Sequence, residues 1–313
     1  MSLINIPKNE GYQKRKKIIN NLFTGLFWLT GLISAIFIVL IFVFVFQKGF
    51  QVFLPDYPHG QVDLWQFLTG TTWRQDQAIY GVGFIIINTL ISAIGALVIS
   101  FPVSVLTALF IAKIAPKSLS AILTTVVELL AAVPSVVYGV FASGVIVKFV
   151  ESLGQALNQH TWGGISLLSV ILLLAIMVFP TMTSLAISAI RAVPKAIEEG
   201  SLALGASKTQ TNFKVVLISA KSGIFAGLIL GLGRAFGEAT AVSMVAGNKL
   251  YGPTFNPFDI TRTLTSSMLS GLKETTGLDY DIRFSVGIVL MIVILISNFA
   301  INRVKRKIGD QGK

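Results

Sequence analysis

Glu199-Gly200-Ser201-Leu202-Ala203-Leu204-Gly205 is a short polar helix-and-glycine turn set between two strongly apolar spans, and Gly223–Gly247, just after it, is long enough to cross a bilayer. The second stretch carries a full charge pair, Arg234 and Glu238, near its middle. An Arg at a helix centre in lipid costs about 2.5–3.5 kcal/mol even on the lenient insertion scale. It persists only if paired or wetted. The first stretch suggests a socket for a motor outside the membrane, the second a polar path through it. Together they predict a transport subunit.

The rest of the chain is consistent with a membrane protein. Hydrophobic residues make up 53% of the 313 residues, charged residues 12%, and the mean hydropathy is +0.77. A soluble chain of this size carries about twice that charge. Apolar runs occur at Leu22–Phe46, Val82–Ile111, Ser120–Val147, Gly164–Ile190, Ser222–Ala246 and Phe284–Ile301. Each meets or exceeds the roughly 17–25 residues that a bilayer core requires. The expected fold class is therefore all-α, a polytopic membrane protein with six transmembrane helices.

The net charge of +11 reflects topology rather than nucleic acid. Lys8, Lys14–Lys17, Lys113, Lys117, the five cations of 191–221 and the five from Arg303 onward lie on one side of such a six-span path. Lys48, Arg74, Lys148, Lys249, Arg262, Lys273 and Arg283 lie on the other, and Arg234 lies within a span. That bias places both termini in the cytoplasm, at the plasma membrane. No basic run is interleaved with aromatics, which argues against nucleic-acid binding. The chain has no cysteine, and His59 and His160 stand alone in loops, so no metal site or cofactor is expected. About 21 residues precede the first apolar run, unlike a cleaved signal, so that run should remain as a helix.

Within the spans, Pro134 and Pro180 read as kinks whose freed carbonyls nearby hydroxyls can satisfy. Glu128 adds a carboxylate to the third run. Trp65 and Trp73 suit the headgroup level of the outer stretch 47–79. The 249–283 loop, with four acids and four bases, suits a small cap. Pro194 fits the first turn of a helix and Gly205 its stop. Ser207 and Gln210 have the spacing of a capping box that restarts the chain as a second helix.

On an ideal helix Gly223, Gly227, Gly231, Arg234 and Glu238 fall within an arc of about 80°, with Phe225, Leu228, Ile229, Leu232 and Phe236 roughly opposite, toward lipid. Small residues four apart allow close helix packing. Two readings of the charges follow. Either Arg234 and Glu238 neutralise each other structurally, or the guanidinium fork contacts a tetrahedral oxyanion and Glu238 competes to keep that contact brief. Glu128 is a further possible partner.

The polar turn resembles the E-A-A-x3-G-x9-I-x-L-P pattern of ABC-importer permeases, here Glu199, Gly200, Ser201, Gly205, Val215 and Leu217, with Gly200 and Ser201 in place of the alanines and Ile218 in place of the proline. Gly231-Leu-Gly-Arg234-Ala-Phe-Gly-Glu238 with Val245-Ala-Gly-Asn248, Glu128 through Gly139, Phe179 through Ser184 and Arg262-Thr-Leu-Thr265 are similar to the phosphate-importer permeases of PstC type.

The resemblance implies a type I importer permease fold over residues 81–302. Residues 1–80 would form a basic tail, first span and outer loop, and 303–313 a second basic tail. It implies no catalytic residue in this chain, and a hook docking an ATPase through Glu199, Leu202, Ala203 and Gly205. The implied partners are a homologous PstA-like permease, two ATPase subunits and an external phosphate-binding protein, with phosphate as cargo. No G-x-x-x-x-G-K-[ST] occurs, so ATP hydrolysis is expected elsewhere. Another oxyanion, sulfate or molybdate, fits the same residues. An ion-driven secondary transporter would show inverted repeats and several membrane acids. A membrane enzyme would need a base–nucleophile set, and no histidine lies in a span.

Overall fold

The computed structural model describes residues 10–310; Lys8 and Lys313 of the basic tails lie outside them. Among the described residues, six helices are long and apolar enough to cross a membrane. Two compact units divide between Lys48 and Gly49. The first unit holds most of α1 (Glu10–Phe50), so residues 10–21, expected as a tail, already continue the first span as helix.

In the second unit, α2 (Leu64–Thr69) and a two-stranded hairpin, β1 (Trp73–Arg74) and β2 (Ile79–Tyr80), precede α3 (Gly83–Leu109). There follow α4 (Lys117–Ala132), α5 (Ser135–Phe141), α6 (Val147–Ala156) and α7 (Leu167–Arg191). Then come α8 (Lys195–Ala203), α9 (Lys208–Gln210), α10 (Leu217–Gly237), α11 (Thr240–Ser243), α12 (Leu264–Leu269) and α13 (Leu278–Asp310).

Helices α3, α7 and α10 pack together at the centre, with α13 against α10 and α4 against α7. At the end carrying α8, the core is built on Leu109, Ile111, Ile187, Ile190 and Val216. At mid-height Leu97, Val178, Met182, Leu232 and Phe236 fill the centre. At the far end Phe67, Trp73 and Tyr80 pack on Phe84, Leu264 and Val286, so residues 49–80 fold against the spans that follow.

Three sequence expectations need correcting. The third apolar run is not one span. Pro134 restricts the residue before it to extended backbone, and Val133 sits at φ −63°, ψ 128°, so α4 ends and a new helix starts at Ser135. The membrane-length element is Ser135–Ala156, continued through a π-helical turn at Ala142–Ile146. Pro180, by contrast, sits inside an unbroken α7, where Thr183 Oγ1 donates to the Phe179 carbonyl at 2.7 Å and Ser104 Oγ at 3.2 Å.

Trp73 is the second correction. It is 2% exposed, edge-on to Tyr80 at 5.1 Å, while Trp65 is exposed. The hairpin and the 250–264 segment cover it. The third concerns the 249–283 loop, which turns into the bundle rather than capping it. Asn88 Oδ1 accepts from Thr254 N at 2.8 Å, and Thr89 Oγ1 from Leu264 N at 2.9 Å. Polar residues of α3 thus satisfy backbone that would otherwise be orphaned at depth.

Candidate functional site

Two helix breaks meet in the middle of the bundle. One separates α4 from α5 at Val133-Pro134, the other α10 from α11 at Glu238-Ala239. They touch through α5 and α11. A Cβ on Gly139 would stand 2.5 Å from Met244 Sδ and 3.0 Å from Ala241 Cα, so the two chains approach at a distance only glycine permits. Interrupted helices at this depth leave backbone polar groups free for a ligand or for local side chains.

The second break changes the geometry of the charge pair. Helix α10 stops at Gly237, and Glu238 adopts extended backbone at φ −78°, ψ 110°. Its carboxylate turns forward: Oε1 accepts from Ala241 N at 2.9 Å, at the start of α11, and its carbonyl accepts from Thr265 Oγ1 at 2.7 Å. Arg234 turns sideways, Nη1 donating to Thr181 Oγ1 on α7 at 2.8 Å. The four-residue helical spacing that would pair them does not exist, and Arg234 and Glu238 form no ion pair. A carboxylate at the start of a helical turn is held by the orphan N–H there, which competes with continued helix.

Arg234 and Thr181 line a cleft of about 780 Å³ together with Asn298 and Lys305 of α13. Lys305 had been assigned to the tail by sequence; α13 continues past its span and carries it back along α10. Nothing in the local sequence around Asn298 or Lys305 marks them. Glu128 is exposed on α4, next to buried Val127, and pairs with no described cation.

The glycine ridge packs on α7. A Cβ at Gly223 would stand 2.5 Å from Ala189 Cβ, and one at Gly231 2.7 Å from the Met182 side chain; Gly227 is looser at 3.3 Å from Leu185. The opposite face is not all lipid-facing as the helical wheel predicts: Leu232 and Phe236 are buried against α3 and α13. Helix α10 is central, so both faces have partners.

The hook is built by its own residues. Pro194 occupies the N-cap of α8, one position before the expected first turn. At the other end Gly205 sits at φ +86°, its N–H bonded to Leu202 O at 3.0 Å, while Ala206 N–H bonds Ser201 O at 3.2 Å. That double bond pattern is a Schellman cap. Ser207 and Gln210 cap α9 reciprocally, as the spacing predicts. Glu199, Leu202 and Ala203 are exposed, and Leu204 is 91% exposed. Glu198, not Glu199, holds the hook to the bundle, through an ion pair with Lys113 at the end of the second span. Ser201 and Thr211 hydroxyls share a 2.9 Å hydrogen bond.

The family model for binding-protein-dependent transport system inner membrane components matches residues 104–309. The chain belongs to that family. This permease is 35% identical over 259 residues to the probable ABC transporter permease protein YqgH of Bacillus subtilis, covering 82% of this chain and 81% of that one. It is 31% identical over 261 residues to the phosphate transport system permease protein PstC of Pasteurella multocida, covering 78% and 81%. A chain of the bacterial alginate ABC transporter, crystallised with an alginate pentasaccharide-bound periplasmic protein, matches with a TM-score of 0.64 at 19% identity over 94% of this permease and 97% of that chain. At that identity the likeness speaks to the fold. This permease is thus a multi-pass plasma-membrane component of a binding-protein-dependent transport system.

Proposed function

We propose that this permease moves inorganic phosphate into the cell by alternating access. It pairs with a PstA-like permease, receives phosphate from an external binding protein, and is driven by two ATPase subunits. One of these docks on the 194–217 hook, with Leu202 and Leu204 entering its groove beside Glu199. Both termini are cytoplasmic. The permease domain runs from residue 81 to the end of α13, which brings Lys305 into it, after a first segment 1–80.

The observation that carries the substrate reading is the cleft along α7, α10 and α13, which Arg234 and Lys305 line together with Thr181 and Asn298. Two cations and two neutral hydrogen-bonding groups suit a dianionic tetrahedral oxyanion, which a guanidinium fork can grip through two oxygens. Thr181 holds the Arg234 fork through one nitrogen and leaves the other donors for cargo. Reconstituted vesicles containing the assembled importer test this: phosphate should enter on ATP addition, and sulfate in excess should not compete. Competition by sulfate, with no phosphate uptake, would reassign the cargo.

A further inference from the structure

The far end of the bundle holds two more arginines, and one of them has no acceptor. Arg262, just before α12, is 6% exposed, and its Nε and Nη1 are buried without a partner. It forms no hydrogen bond or ion pair with any described residue. Its contacts are the Trp73 ring, 5.8 Å from the guanidinium carbon, and the like charge of Arg283. Arg283 is 2% exposed; its Nη1 donates to Ser267 O at 2.7 Å and to Ser270 O, and its Nε to Asp279 O at 3.0 Å, while Nη2 is buried and unpartnered. Asp279 accepts from Tyr80 and its charge also acts on Arg283, and Asp281 accepts from Tyr57 and Gln51, so neither carboxylate bonds Arg262.

A buried guanidinium beside a second one, with no acceptor of its own, is a charge arrangement that needs an anion to close it. Burial with Arg283 alongside pushes the Arg262 guanidinium down to about 10, still charged at neutral pH.

We propose that Arg262 and Arg283 form a second anion site, holding a tetrahedral oxyanion at the end of the bundle away from the hook. The unused Nε and Nη1 of Arg262 supply the planar fork that grips two oxygens of such an anion, and Arg283 Nη2 supplies a third donor. The Trp73 ring lies under the Arg262 guanidinium as a cation–π partner. The cargo would then make two stops, here and at Arg234. The anion's identity as phosphate rests on the proposed function; the existence of the site does not.

Trp73 reports on the site directly. The assembled importer without its binding protein, in lipid nanodiscs, should show a saturable change in tryptophan fluorescence on titration with inorganic phosphate, and Trp73→Phe should remove it. Arg262→Gln should raise half-saturation at least tenfold, and Arg262→Lys, which keeps the charge without the fork, severalfold. Arg234→Gln should leave the Trp73 signal intact. A response to sulfate but not phosphate would uphold the site while overturning the phosphate assignment. If neither anion moves a Trp73-dependent signal in assembled complex, water alone completes Arg262 and the site is refuted. A wild-type response from folded Arg262→Gln or Arg262→Lys refutes it equally.

Discussion

Arg234 reaches across from α10 to Thr181 on α7 at 2.8 Å and does not pair with Glu238, which lies beyond the end of its helix. This relationship separates the two charges and gives each a different mechanical neighbour. Arg234 is tied to α7, Glu238 to the start of α11 and to Thr265. A purely neutralising pair would show the opposite arrangement. Thr181→Val should therefore loosen the arginine without removing charge: we expect a severalfold rise in the KM for phosphate uptake with nearly normal assembly, read from initial rates in vesicles.

Gly205 is the residue on which the hook's shape depends. Its φ of +86° costs a side-chain-bearing residue about 1–2 kcal/mol, and a β-branched side chain is the least tolerant. Gly205→Val should insert and assemble, yet hydrolyse ATP with much reduced phosphate uptake. The ratio of the two rates in one vesicle preparation measures it; an unchanged ratio would take the cap out of the coupling path.

The close approach of α10 to α7 predicts an overpacking defect with a specific cure. Gly231→Ala places a methyl 2.7 Å from the Met182 side chain, where extra volume typically costs about 1–3 kcal/mol. The variant should lower the thermal unfolding midpoint in detergent, and Met182→Ala should recover part of the loss. A double variant no better than the sum of the two singles would mean that the contact does not set the packing.

How far these sites are legible in the sequence depends on how local their causes are. The capping box at Ser207 and Gln210 and the stop at Gly205 involve residues within a few positions of one another, and the structure has them as read. The close approach along Gly223, Gly227 and Gly231 follows a simple helical period. The end of α10 does not. Gly237-Glu238-Ala239 contains no proline, and the helix stops because Glu238 is held by Ala241 N and by Thr265, 27 residues further on. Pro134 and Pro180 look alike in sequence, yet one ends a helix and the other is carried through by packing between α3 and α7. Trp73 looked interfacial until the hairpin and the 250–264 segment covered it. Asn298 and Lys305 join the cleft only through the pairing of α13 with α10.

Topology can be tested separately. Cysteines at Lys208 and Lys307 should react only from the cytoplasmic side, and those at Gln61, Gln155 and Thr275 only from outside, in intact cells with a membrane-impermeant maleimide. Outside labelling at Lys208 would place the hook beyond reach of an ATPase.

The central claim is that Arg234 meets the cargo rather than serving only as structure. The most direct measurement is ATP-driven phosphate uptake by vesicles containing the Arg234→Gln/Glu238→Gln importer, normalised to assembled complex. The glutamine amides can still donate to Thr181 Oγ1 and accept from Ala241 N, so a purely structural role predicts recovery. A cargo contact at Arg234 requires assembly and ATPase docking near wild type with phosphate uptake lost; uptake near the wild-type rate would rule that contact out.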